Sequence, residues 1–246
     1  MIIQEIVAFL DSRAPFATAE EWDNPGLLVG SGSQPVTGVL VALDATPSAL
    51  EAARAMGANL LVTHHPVIFS PLRRLAADSL PYRLAAEGIG LIAAHTNLDK
   101  AAGGVNDALA ACLGLENVTV AADGMTRVGM LPTPREATAF ARHVAEVLET
   151  PVRVNGCGTV ETVAVCGGGG GDFAASLAGQ VDAFVTGEVK HHQWLQAAAD
   201  GLALVEAGHY ATEVPVVDAL CAWLQEAFPA LPVTPYRDGQ PYTIVK

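Results

Sequence analysis

The sequence predicts an α/β fold of two domains, each a mainly parallel sheet covered by helices. Short apolar runs rich in Val, Ile and Leu, bounded by glycine or polar residues, alternate with Ala-rich segments of helical period. The 246 residues are 51% apolar and 16% charged, enough to bury roughly 70–75% of the unfolded surface, which excludes disordered and fibrous classes. Three times an Ala-rich helix ends at glycine and a buried strand follows, delivering a histidine just past its carboxyl end: SALEAARAMGANLLVTHH, RLAAEGIGLIAAHTNLD and HHQWLQAAADGLALVEAGHYATE.

In chain order, MIIQEIVAFLDSR forms a helix with Ile2, Ile3, Ile6, Phe9 and Leu10 on one face. Glu5 and Asp11 stand where a secretory signal would carry positive charge. Strands are expected over 39–43, 59–62, 90–94, 128–131, 151–154, 162–166, 183–186 and 202–206. Helices begin near Thr46, Ser79, Val105, Pro134, Asp172, His192 and Thr212, several opened by a capping side chain or a first-turn proline. GMTRVGMLPTPRE breaks the helical period with two prolines, so the domains are set at 1–124 and 125–246. The final PYTIVK could return as a strand to the first domain.

Acidic residues number 26 against 13 basic ones, a formal charge of −13 that repels phosphate backbones, so nucleic acid and anionic membrane are not expected partners. The longest uncharged stretch, 24–43, is interrupted by SGSQP and cannot span a bilayer. Cys112, Cys157, Cys166 and Cys221 lie far apart with no C-x-x-C pair, which fits a reducing, cytoplasmic setting.

The chemistry gathers beyond the strand ends, where open α/β sheets place ligands. His64 and His65 leave a strand together, with Pro66 fixing the exit, so the two imidazoles can diverge toward neighbouring metal ions. Alone, the pair more often means one buried, hydrogen-bonded histidine and one exposed. His95 precedes Asp99 by four residues and His209 precedes Glu213 by four, a spacing that puts both side chains on one face of a helical turn. Imidazole with carboxylate suits Zn, Mn, Fe, Co or Ni. His64, His65, Asp99, His209 and Glu213 are too many ligands for one catalytic zinc, which keeps about three; they fit two divalent transition-metal ions, with Glu213 as a bridging carboxylate.

The same residues carry a resemblance to a known family. EEWDNPGLLVG, VTHHPVIF, AHTNLDKAAGGVND, VDAFVTGEVKHH and AGHYATE resemble the NIF-three-like family, also described as GTP cyclohydrolase 1 type 2 homologues, and the match runs nearly end to end. The resemblance implies a two-metal site between two α/β domains, with His64, His65, Asp99, His209 and Glu213 as ligands and Glu213 touching both ions. His95 is not a ligand in that pattern; it would stand beside the metals as a proton carrier. Longer relatives carry an inserted middle domain that this chain is too short to contain.

Other residues have competing readings. Asp44 could orient a ligand imidazole or cap the following helix. Asp23 and Asn24 suit a turn, with Trp22 packing beneath. The glycine run 167–171 reads first as a tight strand-to-helix connection, with a phosphate cradled by its amides as the lesser alternative; no Lys followed by Ser or Thr makes it a P-loop. Glu188, Lys190, His191 and His192 follow a strand end and could line a cleft, and His143 reads as a solvated helix residue.

The function expected is a dinuclear metal-dependent hydrolase acting on a small-molecule substrate, with His95 or Glu213 in proton transfer. Phosphoester cleavage, amide cleavage and purine ring opening are the candidate reactions. The resemblance favours the last, with a nucleotide substrate, and implies a homohexamer. A metal-binding or metal-delivery protein without turnover would need the same ligands.

Overall fold

The computed structural model describes residues 1–156 and 158–243; Cys157 and residues 244–246 of PYTIVK lie outside them. The chain divides into two compact units, Met1–Gly104 with Val216–Lys246, and Val105–Pro215. In chain order, the first unit supplies α1 (Ile3–Arg13), β1 (Gly26–Val29), β2 (Val39–Ala42), α2 (Pro47–Met56), β3 (Leu60–Thr63), α3 (Leu80–Ala86), β4 (Gly90–Ala93) and α4 (Thr96–Lys100). The second supplies α5 (Val105–Cys112), β5 (Glu116–Val120), β6 (Arg127–Glu136), α6 (Ala137–Val147), β7 (Arg153–Val154), β8 (Thr159–Cys166), α7 (Ala174–Leu177), β9 (Ala183–Thr186), α8 (His191–Ala199), β10 (Ala203–Glu206) and α9 (His209–Glu213). The chain then returns to the first unit with α10 (Val216–Ala227) and β11 (Val233–Pro235).

The first sheet runs β1-β4-β3-β2-β11, parallel throughout except for β1, which lies antiparallel on β4. Every residue of β2, β3 and β4 is buried, as a strand covered on both faces requires. Helix α2 shows why these segments fold as they do. Thr46 Oγ1 accepts from Ala49 N at 3.0 Å, Pro47 occupies the first turn, and Ala49, Leu50 and Ala53 form the stripe that packs on the sheet.

The second sheet runs β5-β6-β8-β9-β10-β7. Its β8, β9 and β10 are parallel, but β5 on β6, β6 on β8 and β7 on β10 are antiparallel. The α/β class stands, with the second sheet mixed rather than mainly parallel. Phe140, Ala141 and Val144 of α6 cover one face over Val163, Val165, Val185 and Val205; Ala174, Leu177 and Ala197 cover the other over Ala164, Phe184 and Leu204.

Three short strands are not among those expected. All residues of β5 are exposed and show no alternation, β1 is half-buried, and β11 has only three residues. The expected domain division at residue 124 also differs from the compact units. That segment is the β5–β6 hairpin, closed by Ala121 N to Thr126 O at 2.9 Å, with Asp123 Oδ1 accepting from Met125 N and Thr126 N. Pro132 and Pro134 sit in β6 beyond the part paired to β5, where the register with β8 shifts, so the missing donors cost no ladder bonds. Helix α5 belongs with the second unit because buried Arg127 in β6 grips Asp107 at 2.7 and 3.3 Å and donates to Met125 O at 2.8 Å. A late strand does return to the first unit, but it is β11, parallel to β2, whereas 241–243 form no strand. Among the described residues, no helix is long and apolar enough to cross a membrane.

Phe140 is fully buried at the centre of the second unit's core. Phe140→Ala is expected to destabilise that unit by about 3–5 kcal/mol, read as a lower denaturant midpoint by circular dichroism; an unchanged midpoint would contradict the packing described.

Candidate metal centre

In the first unit, three parallel strands deliver their side chains at the same end of the sheet. His64 and His65 follow β3, His65 N bonding to Leu43 O at 2.9 Å, and His95 follows β4 as the residue before α4. The rings gather closely, with centroids 4.8 Å apart for His64 and His65, 5.1 Å for His64 and His95, and 5.6 Å for His65 and His95. Their ligand atoms all lie within 4.8 Å of one another. Asp99 Oδ1, one turn into α4, lies 3.7 Å from His64 Nε2.

Each ring is held at Nδ1 by an oxygen. His64, fully buried, meets the Ala94 carbonyl at 2.9 Å; His65 meets Asp44 Oδ1 at 2.8 Å; His95 meets Asp23 Oδ1 at 2.8 Å. A carbonyl or ionised carboxylate can only accept, so Nδ1 carries the proton and Nε2 of the neutral ring presents its lone pair. That is the tautomer of a metal-ligating imidazole whose other nitrogen is fixed by an oxygen partner.

Asp44 is thus an orienting residue, while Thr46 performs the capping that was the alternative for Asp44. Asp23 is more than a turn residue. Its Oδ2 accepts from Thr96 N at 3.0 Å and Thr96 Oγ1 at 2.5 Å, opposite the Oδ1 bond to His95. Burial would raise its carboxyl, but the bonds from Thr96 and His95 hold it below the usual carboxylate range. Burial, together with neighbouring His64, pushes His95 below its ordinary value, with Asp23 partly opposing. Trp22 does not pack beneath the turn; the residue is 58% exposed and its ring neighbours Phe69 and His95.

The second unit repeats the device. His209 and Glu213 are the first and last residues of α9, and the four-residue spacing brings His209 Nε2 to 3.0 Å from Glu213 Oε2. His209 Nδ1 faces Glu188 Oε1 at 3.0 Å, just past β9. With a neutral Nδ1–H ring, Nε2 and the buried Glu213 carboxylate both bring lone pairs to their contact. The pair therefore calls for a positive charge, either an imidazolium proton or a metal ion. The donors as a whole, imidazole nitrogens with carboxylate oxygens, fit a transition metal such as Zn, Mn, Fe, Co or Ni.

The glycine run serves this pair. A Cβ on Gly168, which has φ +57°, would overlap Glu213 Oε1 and stand 3.1 Å from His209 Nε2; one on Gly187 would stand 2.8 Å from His209 Cα. Gly168 N also donates to Thr212 Oγ1 at 3.0 Å in the middle of α9. The run is a tight connection, as expected, and it is tight because α9 presses against it. Glu188 and Lys190 line a cavity of about 270 Å³ with Asp172, Gln193 and Glu206, Lys190 pairing with Asp172 at 3.0 Å. His191 and His192 are exposed at the start of α8. His143 is half-buried and packs its Nε2 against Leu113 O at 3.1 Å, a structural contact rather than solvation.

A profile of the family described as Duf34/NIF3 (NGG1p interacting factor 3) matches residues 1–238. The chain belongs to the Duf34/NIF3 family. A curated relative from Streptomyces coelicolor, named GTP cyclohydrolase 1 type 2 homolog, is 38% identical over 244 residues, covering 91% of this chain and 86% of that protein. A Staphylococcus aureus relative of the same name is 44% identical over 123 residues, 49% of this chain but only 34% of its own length. The crystal structure of a hypothetical protein of Staphylococcus aureus superposes with a TM-score of 0.93 at 28% identity, covering 100% of this chain and 99% of that one.

In this Duf34/NIF3 chain, Gly168→Ala is expected to cost roughly 1–3 kcal/mol of stability from its left-handed backbone and to weaken metal binding by displacing the Glu213 carboxylate. Thermal melts of metal-free protein and a metal titration would check both, and an unchanged affinity would show that the close approach does not matter.

Proposed function

We propose that His64, His65, Asp99, His209 and Glu213 hold two divalent transition-metal ions, Glu213 serving both, and that the protein is a metal-dependent hydrolase of a small molecule. One observation carries the reading: all four imidazoles, His64, His65, His95 and His209, have Nδ1 set against an oxygen acceptor, which turns Nε2 into the donor that a metal needs. The five proposed ligands, three of these imidazoles and two carboxylates, exceed the roughly three of a single catalytic zinc and suit a pair. When bound, two divalent ions would supply a water acidic enough to attack near neutral pH and positive charge against developing negative charge.

The protein's own groups do the rest. His95, held neutral by its surroundings, takes up a proton at Nε2, and the Asp23 carboxylate at Nδ1 stabilises the imidazolium that forms. Asp44 and Glu188 keep His65 and His209 in one tautomer and one orientation. The names of the curated relatives support purine ring opening of a nucleotide such as GTP as the reaction. The formal charge of −13 offers a triphosphate no long-range attraction, so its recognition falls to the local field of the ions. A cytoplasmic setting follows from the scattered cysteines of the sequence, and a homohexamer is carried over from the resemblance, both as parts of the same reading.

Elemental analysis of protein purified without chelator is expected to find about two transition-metal ions per chain, and the His64→Ala/His65→Ala double variant is expected to lose metal. The parent is expected to hydrolyse at least one member of a panel of phosphoesters, amides and GTP, and the variant none. Metal retained by the double variant would overturn the ligand set; metal bound by the parent without any turnover would favour a metal-delivery protein.

A further inference from the structure

Trp22 and Phe69 are large aromatic residues left 58% and 52% exposed, which forfeits the free energy that burying such rings provides. Their backbones are nonetheless fixed. The residue after Trp22 is Asp23, bonded to His95 and twice to Thr96. Asn24 Nδ2 then donates at 2.6 Å to the carbonyl of Ile68, the residue before Phe69, so one side-chain bond ties the two ring-bearing loops together. The ring centroids lie 5.7 Å apart, inclined at 40°. Both rings meet His95 edge to face, at 6.0 and 6.3 Å with interplanar angles of 73° and 75°. The three rings neighbour one another pairwise, and Trp22 and Phe69 are the two that remain exposed, His95 being half-buried.

We infer that Trp22 and Phe69 form a stacking subsite for a planar conjugated ring of the substrate, holding it with one edge toward His95 and the imidazole cluster. Paired aromatic faces favour a flat π system, and a pre-fixed pair binds it without first having to order the loops. The inference rests on the proposed hydrolase reading for what happens to the bound ring, whereas stacking itself requires no metal.

The test titrates guanosine and adenosine, with ribose as the non-planar control, into the protein as purified and after chelation, reading tryptophan emission. The chain has three tryptophans, and Trp22→Phe, which keeps a ring, identifies the share from Trp22. Saturable quenching is expected from the nucleosides and not from ribose, is expected to vanish in Trp22→Phe, and to need about tenfold more nucleoside in Phe69→Ala, with circular dichroism unchanged. Quenching no stronger than with ribose, quenching that survives Trp22→Phe, or an unchanged midpoint in Phe69→Ala would overturn the inference. Metal content of the same samples separates the two readings: nucleoside binding by a protein that never holds metal sinks the hydrolase and keeps the stacking site, and metal without nucleoside binding does the reverse.

Discussion

An imidazole can serve a metal through one nitrogen only if the proton is kept on the other, and this constraint organises the candidate site. The Ala94 carbonyl, Asp44, Asp23 and Glu188 each occupy an Nδ1. Without them four rings would rotate and exchange tautomers, and the cost of ordering them would fall on the binding step. Asp23 bears the most on one atom pair, since its second oxygen is already committed to Thr96 and its own position is therefore fixed from α4.

The fold meets the constraint by the same means in each unit. Parallel strands buried on both faces end together, and the residues just past those ends carry the donors and their partners: Asp44, His65 and His95 after β2, β3 and β4, Glu188 and His209 after β9 and β10. Two five-residue helices, α4 and α9, then supply Asp99 and Glu213 from one turn further on. Close approach is secured by glycine where a side chain would collide, at Gly168 and Gly187. Function and packing thus draw on the same positions, which is why the glycine run reads locally as a connection and acts structurally as the bed for α9.

Much of this was legible in the sequence because it is local. The alternation of buried strands and Ala-rich helices, the histidine after each strand and the four-residue spacing to Glu213 all lie within windows of about twenty residues. What was not legible depends on distance along the chain. Asp23 reaches His95 across 72 positions and Glu188 reaches His209 across 21, so Asp23 looked like a turn residue and Glu188 like one candidate among four. Arg127 and Asp107 bind α5 to the second unit across 20 positions, against the local break at Pro132 and Pro134 that suggested a boundary. Strand β5, exposed along its whole length, offers only Val118 and Val120 as apolar alternates, too short a run to mark a strand.

The most direct test of the account is the protonation pattern of the imidazoles, read by long-range proton–nitrogen NMR correlation on nitrogen-labelled, metal-free protein at neutral pH. His64, His65 and His95 are expected to be neutral rings with the proton on Nδ1 and an unprotonated Nε2. Finding the proton on Nε2 in these rings would mean that their oxygen partners do not set them for metal, and the centre built on them would fall.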